Sequence, residues 1–225
     1  CRFGFVGGGL DDRGLYSPFF DNDQAQYSPG LTAILATEHN KNALAEALAK
    51  RSCYATTGER IIVGLSIAGT PMGGEVNTTE KPGLIVNRHL SGYVAGTTLL
   101  KTVEIIRNGK VIKTFEPKKV YSLEFTYDDM DDLAKVVVDA KDKKPAFAYY
   151  YIRVTQEDGH IAWSSPIWVD YIPMTAAEKK ARRDARMASK RTVPKPPPED
   201  FNVEEEDEEV EDDFTVVDDD DDDEE

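Results

Sequence analysis

The spacing of hydrophobic residues differs between two parts of the chain. In the first fifty residues, short apolar runs alternate with one stretch of helical spacing. Residues 3–6 are aromatic and β-branched and lead into three glycines, so we expect a strand that ends in a tight turn. Residues 31–36 (LTAILA) form an apolar run that indicates a buried strand. Residues 40–50 carry apolar side chains at helical spacing, and Asn40 can cap the helix. This order of strand, loop, strand and helix predicts an α/β segment.

From Gly58 to residue 169 the period changes to strict alternation, which is typical of half-buried strands. We expect strands at residues 61–67, 84–87, 101–107, 110–115, 121–127, 146–155 and 161–169. Asn108-Gly109 and the turn at residues 157–159 each predict a hairpin. Several short strands joined by tight turns indicate an immunoglobulin-like antiparallel β-sandwich. Its expected core is Val103, Ile105, Val111, Leu123, Phe125, Tyr150, Ile152 and Trp163.

Charge is distributed very unevenly along the chain. Residues 1–175 hold 19 basic and 21 acidic side chains, and residues 176–198 hold 8 basic and 2 acidic ones. Residues 199–225 hold 19 acidic side chains and no basic one. We therefore expect four regions: residues 1–58, a β-sandwich over 59–173, a basic helix over 174–193, and a Pro-rich linker with a disordered acidic tail over 194–225.

The acidic tail carries a few spaced apolar residues and so permits two interpretations. It either solvates the protein, which we favour, or it contacts a basic partner or the basic helix at residues 176–191. Nucleic acid is disfavoured as a partner, because the tail would compete with any polyanion for the basic helix.

The remaining composition excludes two further classes of protein. No run approaches the ~18 apolar residues of a membrane-spanning helix, so we expect a soluble protein and favour the cytoplasm. The two cysteines, Cys1 and Cys53, rule out a disulfide framework. A first residue of Cys1 fits either a mature bacterial lipoprotein or a fragment of a longer chain, and we favour the fragment.

The best-placed chemical groups are the carboxylates of Asp11 and Asp12, which follow the first strand and its glycine turn. Such a pair can hold a metal ion, but the three histidines show no ligand spacing. On composition alone an Asx-turn role is favoured over metal binding. The serines, Cys53 and the histidines show no spacing that suggests a nucleophilic triad.

Several stretches taken together resemble the C-terminal region of bacterial PHP-domain (polymerase and histidinol phosphatase-like) metal-dependent hydrolases that carry an all-β extension. These stretches are FGFVGGGLDDRG (3–14), YATTG (54–58), RNG (107–109) and WSSPIW (163–168). The resemblance implies that residues 1–58 are the end of a PHP-type α/β barrel. In the Ser-Asp-x-His motif of that family, Asp11 matches the metal-ligating Asp, while Leu10 and Arg13 replace the Ser and the His. A guanidinium cannot ligate a metal, so Arg13 would instead hold substrate oxyanions.

These expectations combine into an α+β fold, in which a PHP-type α/β-barrel remnant precedes an immunoglobulin-like β-sandwich and a disordered acidic tail. The first functional hypothesis is the C-terminal part of a metal-dependent phosphoesterase that acts on a small phosphoester with Zn, Mn or Fe. That metal belongs to the longer parent, with Asp11 as a ligand, and we expect no hydrolysis by these 225 residues alone. The alternative is a non-catalytic β-sandwich interaction module whose acidic tail binds a basic partner.

Overall fold

The computed structural model describes residues 2–8, 30–140 and 144–191. The chain divides into two compact units, Cys1–Thr175 and Ala176–Glu225. The described part of the first unit is built mainly of β-strands, and the described part of the second is a single helix.

The secondary-structure elements follow one another along the chain with short connections. In order they are β1 (Leu31–Ile34), α1 (Lys41–Ala49), β2 (Cys53–Thr56), β3 (Ile62–Ile67), β4 (Thr70–Pro71), β5 (Glu75–Asn77), a 3₁₀ helix (Pro82–Ile85), β6 (Arg88–Ala95), β7 (Leu100–Arg107), β8 (Lys110–Phe115), β9 (Ser122–Asp129), α2 (Leu133–Val136), β10 (Ala146–Gln156), β11 (Ile161–Ser164), β12 (Ile167–Tyr171) and α3 (Ala176–Arg191).

The larger sheet is organised around the long strand β10. One edge of β10 pairs with β7, which pairs in turn with β8. The other edge pairs with β11 and then with β12, and a break at Ser165 and Pro166 separates these two strands. Just before the break the Ser164 hydroxyl accepts a hydrogen bond from the backbone N–H of Ile152, at 3.0 Å. Beyond β11 lie β2 and β1, while β5 runs parallel to β12.

The smaller sheet has the order β4-β3-β6-β9, and all of its pairs are antiparallel. Alternate residues of both sheets face a shared apolar core, as expected for a β-sandwich. Of the expected core residues, Val103, Ile105, Phe125, Tyr150 and Ile152 are buried in that core, and Leu123 packs against it half-buried.

Two residues of the expected core do not lie in it. Val111 is 45 % exposed, because it lies on the edge strand β8 and the pairing register shifts between Ile105 and Ile106. Trp163 is only half-buried and lies outside the core cluster. The prediction was therefore wrong for both.

The turns and the helix cap predicted from the local sequence are confirmed. Asn108 and Gly109 have φ values of 51° and 79°, as the type I′ turn between β7 and β8 requires. Gly159, with φ 87°, lies in the turn between β10 and β11. Asn40 caps α1, because its side chain accepts a hydrogen bond from the N–H of Ala43 at 2.8 Å.

The predicted strand over residues 84–87 is wrong. Residues 84 and 85 end the 3₁₀ helix, residues 86 and 87 form no strand, and the strand β6 begins only at Arg88. Ser91 and Gly92 interrupt the apolar pattern of β6, so the sequence did not predict this strand. A Cβ on Gly92 would lie 2.5 Å from the ring of Phe125, so packing requires a glycine there.

The predicted fold class, α+β with a PHP-type α/β-barrel remnant, is also wrong. The protein is a β-rich fold of mostly antiparallel sheets, and residues 2–8 form no regular strand where one was expected at 3–6. β1 and β2 pair antiparallel with each other, and β2 then pairs with β11. The connection over residues 35–52 is long enough for either a parallel crossover or an antiparallel return, so the pattern could not decide between them.

The second unit contributes α3, which covers residues whose composition predicted a helix. Its sequence, AAEKKARRDARMASKR, is dominated by basic side chains. Among the helices that the structure describes, none combines the length and apolar character needed to cross a membrane. The acidic tail lies outside the described residues.

Candidate functional site

The two site residues predicted from the sequence, Asp11 and Arg13, lie outside the described residues, as does Asp12. The structure therefore tests neither the metal role of Asp11 nor the substrate role of Arg13. Within residues 2–8, 30–140 and 144–191, no three His, Cys, Asp or Glu side chains are grouped so that they could hold a metal ion.

The outer face of the larger sheet carries a row of aromatic rings. In β10 the even-numbered residues point into the core, so Phe147, Tyr149 and Tyr151 lie on the opposite face. The rings of Tyr149 and Tyr151 stack with their centroids 6.5 Å apart, and Phe147 lies 6.3 Å from Tyr149. An apolar surface on both faces of one strand indicates that something covers each face.

Part of this cover is the N-terminal segment, residues 2–8. The N–H of Phe5 donates to the hydroxyl of Ser165 at 2.9 Å, which anchors the segment at the break between β11 and β12. The Thr32 hydroxyl accepts from the N–H of Gly7 at 3.0 Å and donates to its carbonyl at 2.7 Å. The ring of Phe5 meets Tyr151 edge-on at 5.4 Å.

Arg2 anchors the beginning of the N-terminal segment. Its guanidinium lies 5.5 Å from the ring centre of Phe147 and 5.9 Å from that of Trp168, and it forms ion pairs with Glu75 and Asp170. These cation–π and ionic contacts fix the segment across the aromatic row.

Beside the N-terminal segment lies a cleft of about 980 Å³, called here the aromatic cleft. The N-terminal segment from Phe3 onward and the turn at residues 158–160 both line it. Tyr151 and Trp163 line it from the sheet. Phe3 is 60 % exposed and Val6 is 64 % exposed, which is a large apolar exposure at one site.

The polar end of the aromatic cleft is built by the turn between β10 and β11. The carboxylate of Asp158 accepts hydrogen bonds from the N–H of His160 at 3.0 Å and from Nε2 of Gln156 at 3.2 Å. Burial acts to raise the pKa of Asp158, but these hydrogen bonds outweigh it and hold the pKa below its ordinary value. Nδ1 of His160 lies 3.0 Å from the Thr57 hydroxyl, which ties the turn to the end of β2.

A second group of polar residues is buried between the sheets. Arg88 is 0 % exposed and Asp129 2 % exposed, and Nη2 of Arg88 lies 2.9 Å from Oδ1 of Asp129. Nη2 of Arg88 has no hydrogen-bond partner among the described residues, so its contact with Asp129 is an ion pair. Arg107 donates to both Asp129 oxygens, at 2.9 and 2.7 Å, and the Tyr150 hydroxyl donates to Oδ2 at 2.7 Å.

This buried charge cluster is a structural feature rather than a binding site. Burial acts to raise the pKa of Asp129, but hydrogen bonds from Arg107 and Tyr150 and the charge of Arg88 overcome it and lower the pKa. Burial is also the main cause that raises the pKa of Tyr150. Because these side chains come from β6, β7, β9 and β10, the cluster joins both sheets.

A smaller groove of about 540 Å³ lies on the smaller sheet. Small residues, among them Gly64, Ser66 and Ser91, line much of it, and the two serine hydroxyls bond each other at 2.8 Å. Because the aromatic cleft is larger and more aromatic, it is the stronger candidate for a binding site.

Sequence reasoning did not find the aromatic cleft. Its walls come from residues far apart in the chain, such as Phe5 and Ser165. The available signal was the run AFAYYYIRV in β10, which is apolar at both odd and even positions and so predicts cover on both faces.

Comparison with known proteins gives a family description without a function. Residues 18–104 match the family described as "Protein of unknown function (DUF3604)". Uncharacterized proteins of Chlamydia pneumoniae and Chlamydia muridarum are each 58 % identical over 75 % of the chain, and one of Chlamydia trachomatis is 55 % identical over 75 %. The chain spans 27 % of the length of each of these relatives.

These matches overturn the resemblance to PHP-domain hydrolases drawn from the sequence, because they are to DUF3604 and to uncharacterized chlamydial proteins. Among solved structures, an engineered protein aligns with a TM-score of 0.27 at 16 % identity, over 51 % of this chain and 20 % of its own. A TM-score this low does not indicate a shared fold.

Proposed function

We propose that the chain is a non-catalytic β-sandwich interaction module that binds a basic protein partner through the aromatic cleft. The observation that carries this proposal is the exposure of Phe3 and Val6 beside a cleft lined by Tyr151 and Trp163. Exposed apolar surface of this kind is typical of protein interaction sites, where aromatic anchors supply most of the binding energy.

The acidic tail supports a basic partner on charge alone. Residues 199–225 contribute 19 carboxylates and no basic side chain, to a net charge of −15 for the whole chain. A field of this sign attracts cations over about a Debye length and mainly raises association rates. The basic helix at residues 176–191 is an internal competitor for the tail, and nucleic acid is disfavoured because its charge has the same sign as the tail.

Stopped-flow fluorescence separates the contributions of the tail and the cleft. The probe is a short lysine-rich peptide that contains phenylalanine, and the signal is the fluorescence of Trp163, with the Trp163→Phe variant as the signal control. A variant with Gly/Ser of equal length in place of residues 199–225 should associate about tenfold more slowly at low salt and dissociate at an unchanged rate. Phe3→Ala should instead speed dissociation.

Each part of the proposal can fail on its own. If the Gly/Ser tail leaves the association rate unchanged, the tail does not attract the partner. If the bound peptide leaves the Trp163 signal unchanged, or if Phe3→Ala has no effect, the aromatic cleft is not the binding surface.

A further inference from the structure

The aromatic cleft has an apolar part and an anionic end, and the two lie side by side. Phe5, Tyr151 and Trp163 supply rings that can enclose an apolar side chain, and Phe5 and Tyr151 hold each other edge-on at 5.4 Å. A side chain placed against such rings is removed from water, which is the usual basis of an anchor at an interface.

The anionic end is the exposed carboxylate of Asp158. The turn orients this group, because the N–H of His160 and the amide of Gln156 both donate to it. Gln156 contacts both oxygens and His160 one, so these bonds use three of the roughly four acceptor positions of the carboxylate and leave its charge and one position for a ligand cation. The guanidinium of Arg153, five residues earlier in the chain, is ion-paired with Glu104 at 2.6 Å and does not line the cleft.

We propose that the aromatic cleft binds a polypeptide segment in which an aromatic or aliphatic side chain stands next to a lysine or arginine. The apolar side chain packs between the N-terminal segment and Trp163, and the cation reaches Asp158. This inference rests on the proposed function and adds the chemistry of the partner. Charge complementarity selects this occupant, because the exposed carboxylate of Asp158 lines the cleft beside its aromatic rings.

Peptide discrimination tests the proposal directly. Four short Gly/Ser peptides carry a central Lys-Phe, Lys-Ala, Glu-Phe or Glu-Ala pair, and binding to the full chain is followed by Trp163 fluorescence at physiological salt. We expect the Lys-Phe peptide to bind about tenfold or more tightly than either the Lys-Ala or the Glu-Phe peptide. Equal affinity for the Lys-Phe and Glu-Phe peptides, or no binding of Lys-Phe below about 1 mM, would overturn the proposal.

Matched variants test the contact of the cation with Asp158 and the contact of the apolar side chain with Phe3 separately. Asp158→Asn keeps the oxygen that accepts from His160 and should weaken Lys-Phe binding about fivefold or more, whereas Glu157→Gln, in the same turn but outside the cleft lining, should not. Phe3→Ala should weaken binding, and Tyr121→Ala, which removes an equally exposed ring (60 %) elsewhere, should not.

The pattern of results separates this inference from the proposed function. If Phe3→Ala weakens binding but Asp158→Asn does not, the cleft binds a partner and only the cation contact is refuted. If a maltooligosaccharide competes better than the Lys-Phe peptide, the ligand is a sugar and the proposal fails. Concentration-dependent self-association that Phe3→Ala abolishes would assign the cleft to a second copy and would also refute it.

Discussion

Replacing Asp129 by Asn should strongly destabilise the sandwich, because Asp129 is the anion that the buried cluster shares. Asp129 contacts the fully buried Arg88 and is hydrogen-bonded by Arg107 and Tyr150. Arg107 retains Asp131, at 2.8 Å, when Asp129 loses its charge. Arg88 retains hydrogen bonds to the carbonyls of residues 84 and 85 and to Tyr150, but no other carboxylate is paired with it among the described residues.

The expected magnitude follows from the burial of Arg88. Removing one partner of a buried ion pair leaves an uncompensated charge, which costs about 3–5 kcal/mol. A domain of this size has a free energy of unfolding of about 5–15 kcal/mol, so the loss is a large fraction of the total. The measurement is urea denaturation followed by fluorescence, in which the midpoint should fall while the m-value stays constant.

Asp128→Asn is the matched control, one residue away on the same strand. Asp128 is exposed and contacts His89 at 2.9 Å, so its change should leave the urea midpoint close to that of the wild type. The double variant Arg88→Met/Asp129→Leu should recover much of the lost stability, because it leaves no buried charge unpaired. If Asp129→Asn costs less than about 1 kcal/mol, or no more than the control, the charge cluster does not stabilise the fold as argued.

The same cluster sets a direction for the dependence of stability on pH. The pKa of Asp129 in the folded protein lies below its ordinary value of 3.8, so the folded state favours the carboxylate. The stability that this group contributes is therefore fully present above pH 3.8 and is lost as the pH falls through the lower pKa of the folded state. Asp129→Asn should lose less stability between neutral pH and this acidic range than the wild type does.

Two further predictions concern packing and chemistry. Gly92→Ala should destabilise the protein by about 1–3 kcal/mol, because the added Cβ would lie 2.5 Å from the ring of Phe125, whereas Gly83→Ala, with no atom within 4 Å of its new Cβ, should cost little in the same denaturation assay. Purified without chelator, the 225-residue chain should carry less than one equivalent of Zn, Mn or Fe and should not hydrolyse p-nitrophenyl phosphate; turnover that Asp11→Ala abolishes would contradict this prediction.

Local sequence signals predicted the elements whose geometry depends on neighbouring residues. The turn at Asn108-Gly109 needs positive φ at both positions, and the cap at Asn40 needs only a side-chain oxygen three residues before an N–H. In each case the decisive contact lies within one element or one turn.

The errors arose where distant residues decide the structure. The pairing of β2 with β11 joins residues more than a hundred positions apart and placed the first described strands in the larger sheet rather than in a barrel. Arg88 looked like an ordinary charged residue in a strand, because its partner Asp129 is 41 positions away along the chain. The aromatic cleft was missed for the same reason, since Phe5 and Ser165 meet only in the folded chain.

The break between β11 and β12 gives β10 its support along a whole edge. Because β11 and β12 bond one edge of β10 and β7 bonds the other, a force applied along β10 through Tyr151 acts on two rows of hydrogen bonds at once. Under such a force many of these bonds must break together rather than one at a time. The surface proposed for the partner thus lies on a strand that is hydrogen-bonded along both edges.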